Sequence, residues 1–97
     1  MQQHVTYSLS PLGYEQLPSL GTATALTIPA GCSVVMIQAE AQAVRWRDDG
    51  VAPTAAIGYP LAVGADLYYE SDRLGAIRFI ERAGGAILNV SYYGRKV

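Results

Sequence analysis

Glycine, proline and Asp-Gly corners break this chain so often that only one stretch leaves room for a helix of ordinary length. The breaks fall at Pro11-Leu12-Gly13, Pro29-Ala30-Gly31, Asp48-Asp49-Gly50, Gly58-Tyr59-Pro60, Gly64-Ala65-Asp66, Ser71-Asp72 and Gly84-Gly85. That is about the spacing of turns in a β-sandwich or barrel. Between the breaks lie short runs of period two. Val5, Tyr7 and Leu9 share one face, Ile77 and Phe79 another, and Leu88, Val90 and Tyr92 a third, with Asn89 and Ser91 turned away. Such alternation means one buried face and one wet or paired face. Leu26 and Ile28 fall together in a less regular run.

The exception is Ser33 to Arg47, fifteen residues without Gly or Pro. Ala39 to Ala43 would tolerate a helix. However, Val34-Val35-Met36-Ile37 opens as a fully buried strand does, and residues 38–43 then alternate strictly between Gln/Glu and Ala. The parity slips at Val44, after which Val44 and Trp46 point one way and Arg45 and Arg47 the other. One slip in a period-two pattern marks a bulge or a tight bend, so the stretch reads as two strands or one bent strand. At Asp48-Asp49-Gly50 the turn needs a residue that takes positive φ, which Gly50 does at little cost.

Charge is distributed unevenly. Of the 15 charged residues only Glu15 lies in the first 39; the rest run from Glu40 to Lys96. A bare stretch of this kind needs cover, and no apolar run approaches the ~18 residues of a spanning helix. Residues 1–22 therefore read as an extended N-terminal arm or first strand that lies against other protein, and residues 23–97 as one β-sandwich domain. Net charge is −1, which argues against a nucleic-acid reader. The start lacks the charged-then-apolar pattern of a secretory signal, so synthesis in a cytoplasm is expected, with no membrane partner.

Little chemistry is on offer. The chain has one histidine, His4, and one cysteine, Cys32, too few for a Ser-His-Asp or Cys-His site or a His/Cys metal centre. The Ile28-Pro29-Ala30-Gly31 turn resembles turns of cupin barrels, but the metal-binding histidines of that family are absent, leaving only a jelly-roll shape open. Asp48, Asp49, Asp66, Glu70 and Asp72 sit in or beside turns, where Asp accepts local backbone hydrogen bonds. That reading is favoured over calcium binding or a glycosidase pair. Gly84-Gly85 lacks the Lys-Ser/Thr of a phosphate loop. No cofactor, metal or catalytic residue is expected, and the chain reads as a non-enzyme.

Arg45-Trp46-Arg47 is best read as a core tryptophan with two outward arginines that pair with carboxylates such as Asp48 and Asp49, or with a partner's acids. The pairs Tyr68-Tyr69 and Tyr92-Tyr93 put one ring on each face of a strand. Tyr69 and Tyr93 are taken as the exposed members, and exposed tyrosines suit protein interfaces and sugar-binding surfaces.

The string from Ile37 to Gly50, followed by Ala52-Pro53-Thr54-Ala55, resembles small structural proteins of tailed bacteriophages. Gly58-Tyr59-Pro60-Leu61, Ala76-Ile77-Arg78-Phe79-Ile80 and Leu88-Asn89-Val90-Ser91-Tyr92-Tyr93 extend the likeness over about residues 26–94. The resemblance implies a small all-β virion component of the head surface or of the neck and tail. Together these readings give an antiparallel β-sandwich or jelly-roll-like barrel of about seven to nine strands. The expected function is that of a capsid decoration (cement) protein, a homo-oligomer (dimer or trimer) bound to the major capsid protein or other virion proteins. A neck, tail or fibre-attachment protein is the first alternative and a carbohydrate-binding module the second. Tyr7, Tyr14, Tyr69, Tyr93, Arg45 and Arg47 are the expected contact residues.

Overall fold

The computed structural model describes residues 8–96. They form eight strands: β1 (Ser8–Leu17), β2 (Thr24–Ala25), β3 (Cys32–Glu40), β4 (Val44–Arg47), β5 (Tyr59–Leu61), β6 (Asp66–Glu70), β7 (Arg78–Glu81) and β8 (Ile87–Lys96). One 3-10 turn, Leu74–Ala76, precedes β7. Two four-stranded antiparallel sheets result, ordered β1-β8-β3-β6 and β2-β7-β4-β5. Strands 1 and 8, 2 and 7, 3 and 6, and 4 and 5 are each paired. The chain is thus one long hairpin with β4 and β5 at its tip, folded over into a sandwich. This is the jelly-roll topology.

The parity slip at Val44 is the point at which the chain changes sheets. β3 ends at Glu40 in the first sheet and β4 begins at Val44 in the second. The corner is made by Ala41 at φ 74°, beside a Gln42 N–H donated to the Glu40 carbonyl at 2.9 Å. For an L-residue with a Cβ this region costs roughly 1–2 kcal/mol, partly offset by the greater entropy that a glycine would lose on folding. Ala41→Gly should therefore raise stability by about 0.5–1 kcal/mol, read as a later urea midpoint with an unchanged slope.

The core lies between the sheets. Leu88, Val90 and Tyr92 of β8 face it, as do Val35, Ile37 and Ala39 of β3; Phe79, Val44 and Leu61 of the other sheet, and Ile77 just before β7, are buried with them. Leu20, Leu26, Leu74 and Ala86 close the ends. The opening of β3 is buried on both faces at Val34 and Val35, as its residues suggest, but Met36 emerges on the outer side, opposite Tyr68. Trp46 is half-buried and packs on the rim of the core, so it is not the enclosed core tryptophan expected.

The strand Ser8–Leu17 takes up much of the expected arm, paired with β8 from Ser8↔Lys96 to Leu17↔Leu88 around a bulge between Pro11 and Gly13. It is the edge of its sheet. On its inward row, Glu15 lies opposite Val90 and in line with Ile37. A carboxylate in that row must be satisfied. The Tyr92 hydroxyl and the Thr27 N–H both donate to Glu15 Oε2, the latter at 3.2 Å. The only charge of the first 39 residues thus ties β1 to the last strand and to the segment after β2.

Candidate functional site: a cleft at the hairpin tip

Between β4 and β5 runs the longest connection of the sandwich, residues 48–58, and side-chain hydrogen bonds hold it in shape. The Arg45 guanidinium reaches across to donate to the Ala55 carbonyl from Nε at 3.0 Å and to the Gly58 carbonyl from Nη1 at 2.8 Å. Thr54 and Ile57 exchange backbone bonds of 2.8 and 3.2 Å, and Thr54 Oγ1 accepts from the Ile57 N–H at 2.9 Å. Pro53 is buried beneath. Gly58 has φ 140°, and a Cβ there would lie 3.1 Å from both Arg45 Cβ and Pro53 Cβ. A long loop fixed in this way is a common place for function on a rigid sandwich.

The loop bounds an open cleft of about 400 Å³ lined by Arg47, Asp48, Asp49, Ile57, Gly58 and Tyr59. One wall is aromatic. Tyr59 is 64% exposed and stacks, tilted, on Trp46 with ring centroids 5.0 Å apart. Tyr69 meets the same indole edge-on at 5.9 Å, and its hydroxyl donates to Asp48 Oδ2. That bond, and then burial, hold the Tyr69 phenol above its ordinary pKa. At the rim, Arg47 grips Asp49 with a two-pronged fork, Nε to Oδ1 at 3.0 Å and Nη2 to Oδ2 at 2.5 Å. The guanidinium holds the Asp49 carboxyl below the usual carboxylate range, and the carboxylate in turn raises Arg47. The Val51 N–H also donates to Asp49 Oδ1 at 3.4 Å, as expected of an aspartate at a turn.

A second surface is the outer face of the β1-β8-β3-β6 sheet. Tyr14, Ser91, Met36 and Tyr68 lie side by side across its four strands, with Tyr14 61% and Tyr68 55% exposed. The next row is a ladder of amides. The Tyr14 hydroxyl and Gln16 Nε2 both donate to Asn89 Oδ1, at 2.5 and 3.1 Å. Asn89 Nδ2 donates to Glu40 at 2.9 Å, and Gln38 Nε2 to Asp66 at 3.5 Å. Leu9 and Leu12 are exposed beside it. The segment poor in charge thus leaves Leu9, Leu12, Tyr14 and Met36 exposed, while Leu20, Leu26, Val34, Val35 and Ile37 are buried.

The expected contact residues separate between these places. Tyr14 is exposed on the outer face, and Tyr93 is half-buried in the strand beside it. Arg47 lies in the cleft, whereas Arg45 is engaged by loop carbonyls and acts as a brace. Tyr69 is not the exposed member of its pair. It packs inward on the core, and Tyr68 faces out. The alternation of Asp66-Leu67-Tyr68-Tyr69-Glu70 carries that signal, because Leu67 and Tyr69 share the apolar parity. Tyr7 lies outside the described residues, as does His4. Tyr59 and Ile57 were missed because a Gly-Tyr-Pro turn gives no parity to read.

Cys32 is half-buried, and its thiol donates to the Val34 carbonyl at 3.4 Å. Among the described residues, no three His, Cys, Asp or Glu side chains converge as a metal site would require. Comparison with protein-family models, with curated proteins and with solved structures found no match.

Proposed function

We propose that this protein is a non-enzymatic virion component of a tailed bacteriophage, a capsid decoration protein made in the host cytoplasm that attaches to the head lattice. Two things support the reading: the likeness over residues 26–94, and a jelly-roll sandwich, an architecture used by viral capsid and lectin domains among others. The observation that carries it is the outer face of the β1-β8-β3-β6 sheet. Across it Tyr14, Ser91, Met36 and Tyr68 form one row in which both tyrosines and the methionine are exposed, and its amides are already held in a ladder. Exposed tyrosine beside side chains already engaged with one another suits a protein partner, since rigid aromatic area is gained at little entropic cost. On a lattice, several weak contacts of this kind add up through effective concentration.

The test is reconstitution. The purified chain, expected by light scattering to be a dimer or trimer, is added to undecorated capsids and the bound copies are counted. Roughly hundreds per particle support head decoration through multivalent binding, whereas a dozen or fewer move the protein to the neck or tail. Tyr14→Ala combined with Tyr68→Ala should weaken attachment at least about tenfold while shifting stability by no more than about 0.5 kcal/mol per site. Undiminished binding of that variant would remove the face from the proposal.

A further inference from the structure

We propose that the cleft at the β4–β5 tip is a binding site for a neutral saccharide, which stacks on Tyr59 and is hydrogen-bonded at its edge by the Arg47–Asp49 pair. The inference does not depend on the virion reading, since it uses a different face of the molecule.

A pyranose ring has an apolar C–H face and a rim of hydroxyls, each both donor and acceptor. A site for it needs an exposed aromatic plane with a donor and an acceptor side by side at the plane's edge. Tyr59 supplies the plane, and its tilt is set by Trp46 behind it at 5.0 Å. Asp49 remains half-exposed, with 52% of its side chain accessible; Oδ1 accepts from both Arg47 and the Val51 N–H, and Oδ2, bound by Arg47 alone, keeps accepting capacity. Arg47 uses Nε and Nη2 on Asp49, and its Nη1 carries two further N–H donors. Ile57, 59% exposed, adds an apolar lip. The volume of about 400 Å³ falls within the ~300–1,000 Å³ of small-ligand sites, enough for roughly one or two sugar rings.

The charges choose among ligand classes. Two carboxylates line the cleft, which disfavours phosphates and other anions. Neither carboxylate is left without a partner for a cation, since Asp49 is paired with Arg47 and Asp48 accepts from the Tyr69 hydroxyl. A wholly apolar ligand would strip water from the fork without replacing its hydrogen bonds. A neutral polyol does none of these things. The site is also built in advance: Arg45 fixes the loop carbonyls, Tyr69 anchors Asp48, and the fork holds Arg47, so little ordering is left to oppose binding.

The experiment uses the single tryptophan. Trp46 is the only one in the chain and touches the proposed platform, so its fluorescence reports on the cleft. The full chain is titrated with soluble gluco-, galacto-, chito- and mannooligosaccharides up to about 10 mM, which reaches weak but specific binding. A saturable change with at least one series is expected. Tyr59→Ala and Asp49→Asn should each weaken it about tenfold or more, read by calorimetry so that loss of a fluorescence reporter is not mistaken for loss of binding. Tyr68→Ala, on the other sheet, should leave it unchanged. Because Arg47 holds the Asp49 carboxyl below the usual carboxylate range, affinity should stay level from pH 8 down to the ordinary aspartate value of about 4 and decline only below it. No saturable response from any series, or binding that survives Tyr59→Ala at full strength, overturns the proposal.

Discussion

Phe79→Ala should cost about 3–5 kcal/mol and bring the chain close to unfolding at ambient temperature. Phe79 is fully enclosed and is the largest such side chain in the core. It stands in the middle of β7, paired with Thr24 of β2 on one side and Trp46 of β4 on the other. The ring therefore supports both neighbouring strands, and the alanine variant leaves a void that two sheets cannot easily close. A domain of this size has about 5–15 kcal/mol of stability in all, so the loss takes a large share of it. Urea unfolding followed by far-ultraviolet circular dichroism measures it. Phe79→Leu, which fills most of the space, should lose clearly less, about 1–2 kcal/mol. An alanine variant within about 1 kcal/mol of the parent would show that the core does not rest on this ring.

Tyr92→Phe carries the second large effect, about 1.5–3 kcal/mol. The residue is almost enclosed, and its hydroxyl is the donor that satisfies Glu15 on the inward row of β1. The phenylalanine ring would pack as before but leave the carboxylate with only the Thr27 N–H among these bonds. The loss is thus mainly that of a charge-assisted hydrogen bond donated to a half-buried acid. The same pair makes a pH prediction. Burial first, and then the Glu15 carboxylate, push the Tyr92 phenol well above its ordinary value near 10. Between that value and the folded one the native state holds a proton that the unfolded chain has released, so stability falls as pH rises. The contribution is complete below about pH 10 and is lost progressively above it. In Tyr92→Phe this part of the alkaline decline should vanish. Tyr69, raised in the same direction by Asp48, adds a second such group that the variant retains. An alkaline limb of the same steepness in both proteins would remove Tyr92 as its source.

Strand parity was legible wherever apolar and polar residues alternate without interruption. Leu88, Val90 and Tyr92 face inward, as do Ile77 and Phe79, and the slip at Val44 is where β4 leaves one sheet for the other. Parity failed where two residues of one type sit side by side. Tyr68 and Tyr69 are interchangeable by type, and only Leu67 and the flanking acids distinguish them. The cleft was less legible still. Asp48, Asp49 and Arg47 were readable as turn and pairing residues, but their meeting with Tyr59 depends on an eleven-residue loop whose path is set by Arg45, Thr54, Pro53 and Gly58 acting together. No periodicity encodes such a path. Glu15 stood out by its isolation, yet its partner Tyr92 lies at the far end of the chain, brought to it only by the pairing of first strand with last.

That pairing has a consequence for how the protein is made. β8 lies between β1 and β3, so the first sheet has no centre until residues 87–96 have been synthesised. Until then β1 has no neighbour to pair with, and the inner faces of β1 and β3 remain open. Folding is therefore a late event that must close a loop spanning nearly the whole chain, and topologies dominated by such distant contacts fold slowly, in about milliseconds to seconds. A nascent chain that carries few charges on its first strands waits through that interval with unpaired edges exposed, the state most prone to wrong association.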